Sequence, residues 1–255
     1  MKTSTIHFAQ ISDCHLYANK LAKHYGVNVF DSLCSVLLHI NNSTTIEFIV
    51  FTGDLTQDHS EQSYKNFLEA VKMTNTSLPI YFLAGNHDDH ELLNKYLKNE
   101  NFRQESMVED PYWQVLLVNS KSETPAGLVL LPESKRLLEA VSPDKNQFIL
   151  MHHHPTDVGY FIDKHGLKNK TDFYQTLDKI KNLQAIACGH VHNSMELIIK
   201  TPKNTIPLFT CPATSIQFEK LGSELKNSGA NPGYRVFTLN DNGNVQGQTI
   251  FLKNH

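Results

Sequence analysis

Apolar residues in this chain gather into short runs that stop at polar tips. "IHFAQIS" (6–12) leads into Asp13-Cys14-His15, and "IEFIVFTG" (46–53) into Asp54. "PIYFLAGN" (79–86) leads into His87-Asp88, "QFILMHHHP" (147–155) runs through His152-His153-His154, and "LQAIACGHVH" (183–192) ends in His190-Val191-His192. The continuous apolar centre of 46–53 is the pattern of a strand buried on both faces. Between the runs, amphipathic spacing predicts helices over 32–40, 60–73, 90–99, 132–142 and 171–180. Ser60 is the candidate N-cap of the second, and the fourth begins at Pro132.

The first hundred residues thus repeat strand, motif, helix, which predicts parallel strands with helical crossovers. Ligands of such sheets collect beyond the carboxyl ends of the strands, where the polar tips lie. A further strand is expected over 112–120. The tail pieces "MELIIK", "IPLFT", "YRVFTL" and "VQGQTIFL" predict a second, mixed sheet closing the fold. With no repeat and no low-complexity linker, the expectation is one compact two-sheet α/β domain over 1–255.

Composition narrows the partners. The 255 residues are 40% hydrophobic and carry a formal charge of -3, enough for a substantial core but giving no basic footprint for a stable nucleic acid partner. No Lys/Arg run suggests a membrane surface, and no run is long and apolar enough to span a bilayer. Nothing signals an obligate protein partner. The four cysteines are widely spaced without a CxxC pair, and the N-terminus lacks the apolar stretch of a secretory leader. Reduced thiols in a cytoplasmic protein are expected. Histidine is the unusual count, at 14, and much of it sits at the tips.

Each tip has a plain structural reading: a surface turn for Asp13-Cys14-His15, a turn residue for Asn86, a polar strand edge for His190-Val191-His192. Parallel strands would nevertheless bring the tips together. Spacing by two puts Asp13 and His15 on one side and turns Cys14 into packing. Carboxylate, imidazole and amide oxygen suit divalent Mn, Fe or Zn. Asp13, His15, Asp54, Asn86, His152, His190 and His192 are too many for one zinc and about right for two ions. Asp54, alone in its motif, is the candidate bridge.

The set "DCH", "GD", "GNHDD", "HHHP" and "GHVH" resembles the calcineurin-like metallophosphoesterase family. The resemblance implies an αββα four-layer fold, two sheets flanked by helices, around two divalent ions per chain, Fe or Mn, with Zn as an alternative. It implies Asp13, His15 and His192 on one ion, Asn86, His152 and His190 on the other, and Asp54 between. His87 would face the substrate phosphate as the catalytic residue. "QISDCHLY", "GDLTQDHSEQSYKNF", "HHHPTDVG", "DKHGLKN", "CGHVHN" and "PATSIQF" are similar to the bacterial class III cyclic nucleotide phosphodiesterases. That branch implies hydrolysis of 3′,5′-cyclic AMP to 5′-AMP by a metal-activated water, with His87 assisting. Cys14 departs from the family pattern, where a small hydroxylated residue is commoner. Asn86, His87, His154 and His165 are the candidates for substrate contact, although His153 and His154 could equally orient a ligand. Tyr160, Phe161 and Phe218 are either pocket wall or packing, and Asp88 is a candidate for fixing a loop. Two rivals stay open. A phosphoesterase of the same chemistry could act on another diester, a nucleotide or a phosphoprotein. A non-enzymatic metal-binding scaffold would lack ligands or have no use for His87.

Overall fold

Alternation along the strands divides their side chains between two cores. In β1 (Thr5–Ile11), Ile6 and Phe8 face one way while Ala9 and Ile11 face the other. The same split separates Phe48 and Val50 from Ile49 and Phe51 in β4 (Phe48–Phe51). Successive side chains of a strand point to opposite faces, so both faces of this sheet are buried. The protein is described by a computed structural model over residues 5–253. Residues 1–4, part of the stretch read for a leader, lie outside the described residues.

A small hairpin, β2 (Lys23–His24) and β3 (Val27–Asn28), precedes α1 (Val29–Asn41). The helix starts earlier than its apolar pattern suggests because Asn28 caps it, accepting from the N–H groups of Phe30 and Asp31. After β4 come α2 (Glu61–Met73), capped by Ser60 as expected, β5 (Ile80–Phe82), α3 (His90–Tyr96) and β6 (Phe102–Arg103). These complete a run of parallel pairings, β1 to β4 to β5 to β6.

The second sheet opens with β7 (Met107–Glu109) and β8 (Trp113–Val118), followed by α4 (Leu131–Ala140) and β9 (Asn146–Met151). A 3₁₀ turn (Phe161–His165), α5 (Lys170–Leu177), β10 (Leu183–Cys188), β11 (Met195–Lys200) and β12 (Thr205–Thr210) continue it. Its order is β11-β12-β10-β9-β8-β7, with parallel pairing at β8–β9, β9–β10 and β10–β12. The last hairpin, β13 (Gly233–Asn240) and β14 (Val245–Phe251), does not join it. β13 pairs antiparallel with β1, giving the first sheet the order β14-β13-β1-β4-β5-β6. The expectation that the tail builds the second sheet is therefore only half met. That sheet starts in mid-chain, and the C-terminal strands return to the first.

Helices α1, α2 and α3 cover one sheet and α4 and α5 the other, while Phe8, Phe48, Phe148 and Phe237 fill the space between the sheets. Phe8 stacks on Phe48 at 5.1 Å and meets Phe148 edge-on at 5.7 Å. The layers are thus helix, sheet, sheet, helix. Buried Arg235 on β13 pins the sheets at one edge, donating from Nε to the Thr210 carbonyl at 3.2 Å and from Nη2 to Ser194 Oγ at 2.7 Å. Among the described residues, no helix is long and apolar enough to cross a membrane.

Candidate metal centre

The polar tips converge, four of them lining one cavity while His152, His153 and His154 stay buried behind it, but they do not do so as strand continuations. Asp13, His15, Asp54, His190 and His192 have φ of 57°, 48°, 58°, 65° and 51°. Non-glycine residues seldom take this left-handed conformation, and it gathers at functional sites. The same-side placement read for Asp13 and His15 thus arises from tight turns rather than from extended backbone. Cys14 does turn into the core and is fully buried, which pushes its thiol far up and out of reactive range.

Two glycines let the first-sheet tips close on one another. A Cβ on Gly85 would lie 2.2 Å from Asp54 Oδ1, and one on Gly53, at φ 94°, would lie 2.3 Å from the Gly85 nitrogen. Asp88 then locks the two turns. Its Oδ2 accepts from the N–H groups of Asp54 and Gly85, each at 2.8 Å, and its Oδ1 accepts from Leu55 at 2.8 Å. Asp88 thereby fixes backbone, as one sequence reading had it.

The histidines are oriented from behind. His152 Nδ1 lies 2.7 Å from the Thr52 carbonyl, and His192 Nδ1 lies 2.8 Å from the Ile216 carbonyl. A carbonyl only accepts, so each Nδ1 carries the proton and each Nε2 is left with a lone pair. Those lone pairs point at carboxylate and amide oxygens and at a further imidazole. His152 Nε2 faces Asn86 Oδ1 at 3.1 Å and Asp54 Oδ2 at 3.4 Å. His192 Nε2 faces His15 Nε2 at 3.0 Å and Asp13 Oδ1 at 3.4 Å. His190 Nε2 is buried with no hydrogen-bond partner among the described residues. Acceptors converging on acceptors in a buried site need cations between them. Without an ion, a proton fills that need. Burial opposes charge on His152, yet the Asp54 carboxylate prevails and lifts its pKa to about 9. Burial also works against the Asp54 carboxylate, but His152, His87 and His15 hold it well below the usual range.

Among the described residues four overlapping ligand groups result: Asp13 with His15 and His192; Asp13 with Asp54 and His152; His15 with Asp54 and His87; His152 with His153 and His190. Together they make two overlapping His/Asp clusters suited to a binuclear divalent site. Asp54 Oδ2 stands between them, 3.8 Å from His15 Nε2 and 3.4 Å from His152 Nε2. Its Oδ1 accepts from the His87 N–H at 2.9 Å.

The histidines without an assigned ion separate clearly. His87 lines the cavity, parallel to His59 at 5.5 Å and edge-on to His15 at 4.9 Å. Both ring nitrogens of His153 are engaged, Nδ1 by Ser120 Oγ at 2.9 Å and Nε2 by the Pro125 carbonyl at 3.3 Å. His154 is fully buried behind His190, 5.5 Å away, with Nε2 at 3.3 Å from Asp163 Oδ1. Unlike His165, it is not among the residues that line the cavity. His165, Phe161 and Phe218 do line it, and Phe218 also stacks on His192 at 3.9 Å. Tyr160 is packing: its hydroxyl donates to the Val191 carbonyl and braces the His190–His192 turn.

Sequence reading missed His24, His59 and Lys121. His24 stacks on His15 at 5.3 Å and lines the cavity. His59 Nδ1 donates to the His87 carbonyl at 2.9 Å, and Lys121 Nζ donates to the Asn86 carbonyl at 3.1 Å. His24 ends a strand of only two residues, His59 lies inside a longer matched stretch without standing out in it, and Lys121 sits in a loop.

Comparison with known proteins agrees with this geometry. The pattern of the calcineurin-like phosphoesterases matches residues 6–194, and the chain belongs to that family. It is 48% identical, over 97% of its own length and 95% of the relative's, to a Colwellia psychrerythraea protein named "Probable cyclic nucleotide phosphodiesterase". The 3′,5′-cyclic adenosine monophosphate phosphodiesterase CpdA of Escherichia coli K12 is 30% identical, over 94% of this chain and 87% of that one. Among solved structures, a dimetal phosphatase from Danio rerio superposes with a TM-score of 0.63 at 11% identity, covering 97% of this chain and 99% of the other. At that identity the likeness speaks for the fold.

Proposed function

We propose that the chain is a metal-dependent phosphodiesterase that hydrolyses 3′,5′-cyclic nucleotides, cyclic AMP foremost, to the 5′-monophosphate. The observation that carries this reading is the set of inward-facing acceptors, which suits a pair of divalent cations and little else. Whole-length similarity to relatives named for cyclic nucleotides supports the choice of diester.

In this reading Asp13, His15 and His192 would hold one ion, Asn86 through its carboxamide oxygen, His152 and His190 would hold the other, and Asp54 would be shared between them. Bound there, the ions would neutralise the anionic phosphodiester and acidify a water at neutral pH. Thr52 and Ile216 keep the imidazoles in the tautomer that presents Nε2. His87 lines the cavity, and its Nδ1 has no hydrogen-bond partner among the described residues. Burial and the nearby His59 and His152 lower its pKa, against the pull of Asp54, so at neutral pH the ring is a neutral donor. A hydrogen bond from that ring to a phosphoryl oxygen or to the leaving 3′ oxygen is the contribution assigned to it. His165 is retained as a second substrate contact at the cavity wall. Return of the C-terminal hairpin to β1 supports taking 1–255 as one domain. The four free cysteines support a cytoplasmic setting.

The test is turnover of cyclic AMP, cyclic GMP, a 2′,3′-cyclic nucleotide and a phosphomonoester by protein loaded in turn with Mn, Fe and Zn. Metal-dependent cleavage with a 3′,5′-cyclic nucleotide favoured is expected. Preference for the monoester by a hundredfold or more would overturn the assignment.

A further inference from the structure

The hairpin at the mouth of the cavity sets backbone against side chain. β2 and β3 pair Lys23 with Asn28 and His24 with Val27, which leaves Tyr25-Gly26 as a two-residue loop. Both loop residues have positive φ, 45° and 89°. That is the tight turn whose twist matches antiparallel strands, and its first position normally holds Asn, Asp or Gly. Gly26 enters it without strain. Tyr25 does not, because a bulky residue with positive φ is an outlier. Such strain persists only where the surroundings impose it, and it collects at ligand clamps.

Packing does not offset the strain, since Tyr25 is 53% exposed. The turn is held from two sides instead. Asn227, on the facing loop, donates from Nδ2 to the Tyr25 carbonyl at 3.2 Å. His24 makes a T-shaped contact with the Tyr25 ring at 4.9 Å, stacks on His15 at 5.3 Å, and is hydrogen-bonded to the Tyr17 hydroxyl at 3.0 Å. The ring is therefore positioned relative to the metal centre while staying open to the cavity it lines.

That cavity, of about 630 Å³, has a mixed lining. Asp54, Asn86 and several histidines share it with the apolar and aromatic side chains of Tyr25, Phe161, Phe218 and Leu225. A nucleotide needs both kinds of surface, one for an anionic phosphate and one for a planar apolar-faced base. Phe161 already meets Tyr160, Phe218 and the Lys164 ammonium. Among the described ring contacts, Tyr25 meets only His24.

We propose that Tyr25 is the platform on which the substrate's nucleobase stacks, and that the strained turn persists because it holds that ring over the cavity. The proposal rests on the cyclic nucleotide reading given above. Base-on-aromatic stacking tolerates any base, so Tyr25 favours nucleotides over base-free diesters without choosing among the bases.

The experiment compares kcat/KM for 3′,5′-cyclic AMP with that for 1-deoxyribose 3′,5′-cyclic phosphate, which has the same scissile bond and no base. Wild-type protein, Tyr25→Phe, Tyr25→Leu and Tyr25→Asn are measured metal-loaded, each with a thermal melt. The ratio should fall about tenfold or more in Tyr25→Leu and Tyr25→Asn and hold in Tyr25→Phe. Tyr25→Asn should also melt higher than wild type, because Asn suits the turn. An unchanged ratio in Tyr25→Leu and Tyr25→Asn, with cyclic AMP still cleaved, would overturn the stacking role alone. No turnover of cyclic AMP by wild-type protein that cleaves other diesters would overturn the cyclic nucleotide reading itself.

Discussion

The two sheets bring different chemistry to the same cavity. Turns after β1, β4 and β5 supply Asp13, Asp54 and Asn86, the oxygen donors, together with His15. Turns after β9 and β10 supply imidazoles only, His152, His190 and His192. The means of support differ as well. Oxygen donors sit on turns laced together by backbone N–H groups, with Asp88 as the knot. Imidazoles are aimed one at a time, by carbonyls at Thr52 and Ile216 and by the Tyr160 brace. A buried carboxylate keeps its charge only beside a cation or several hydrogen-bond donors, whereas a buried imidazole can remain neutral. In the proposed centre the first sheet would therefore carry the charge that calls for metal, and the second the lone pairs that complete the shell.

The harshest way to break this division is to remove the shared charge. Asp54→Asn should lower metal content at both positions, and by more than the roughly 10- to 100-fold loss of affinity that follows loss of an outer hydrogen bond. Metal per chain after gentle purification checks it. Unchanged stoichiometry and affinity would contradict the bridging role. Next in size is His87→Ala, which should keep both ions and the fold while kcat falls about 100- to 10,000-fold. His15, Asp54 and His87 can reach a common ion. Depleted metal, with activity restored by added ions, would therefore move His87 into the ligand set. A nitrophenyl diester, whose leaving group needs little protonation, should show a smaller defect only if His87 serves the leaving oxygen.

Asp88→Asn tests the knot itself. An amide nitrogen cannot accept, so one set of buried N–H groups loses its partner, at about 1–3 kcal/mol of stability. Metal affinity should weaken about 10- to 100-fold while Tyr160 and the second-sheet turns stay in place. Titration with Mn and a urea melt on one preparation measure both.

The smallest effect is one of pH, in metal-stripped protein. His152 is raised from 6.5 to about 9, so its contribution to stability is complete below 6.5 and lost as pH rises through about 9. His15, His153 and His190 go the other way, held well below 6.5 first by burial and then by neighbouring imidazoles. Below 6.5 the unfolded chain protonates them and the fold does not, so stability falls there too. The stripped protein should melt highest near pH 6.5. Bound metal takes the place of the His152 proton, so the decline toward pH 9 should disappear on loading. An identical profile with and without metal would contradict the proton-for-metal exchange.

Much of this was legible in the chain because apolar runs and their polar tips are local signals. Period-two alternation gives the strands, and Ser60 marks its helix. What escaped notice is non-local or very short. β6 and the strands of the small hairpin have two residues each, too few to show a period. The return of β13 to β1 is a pairing of residues such as Phe8 with Phe237, invisible in either segment alone. The left-handed turns at Asp13 and His190 break the alternation on which the side-by-side reading relied. His24 reached the cavity by way of a hairpin that "HYG" hardly announces.

The most direct measurement is anomalous scattering from crystals of metal-loaded protein. Two peaks per chain are expected, about 3.5–4 Å apart, on either side of Asp54. One should be within reach of Asp13, His15 and His192, the other of Asn86, His152 and His190. A single peak, or a second one lying away from Asp54, would contradict the binuclear centre.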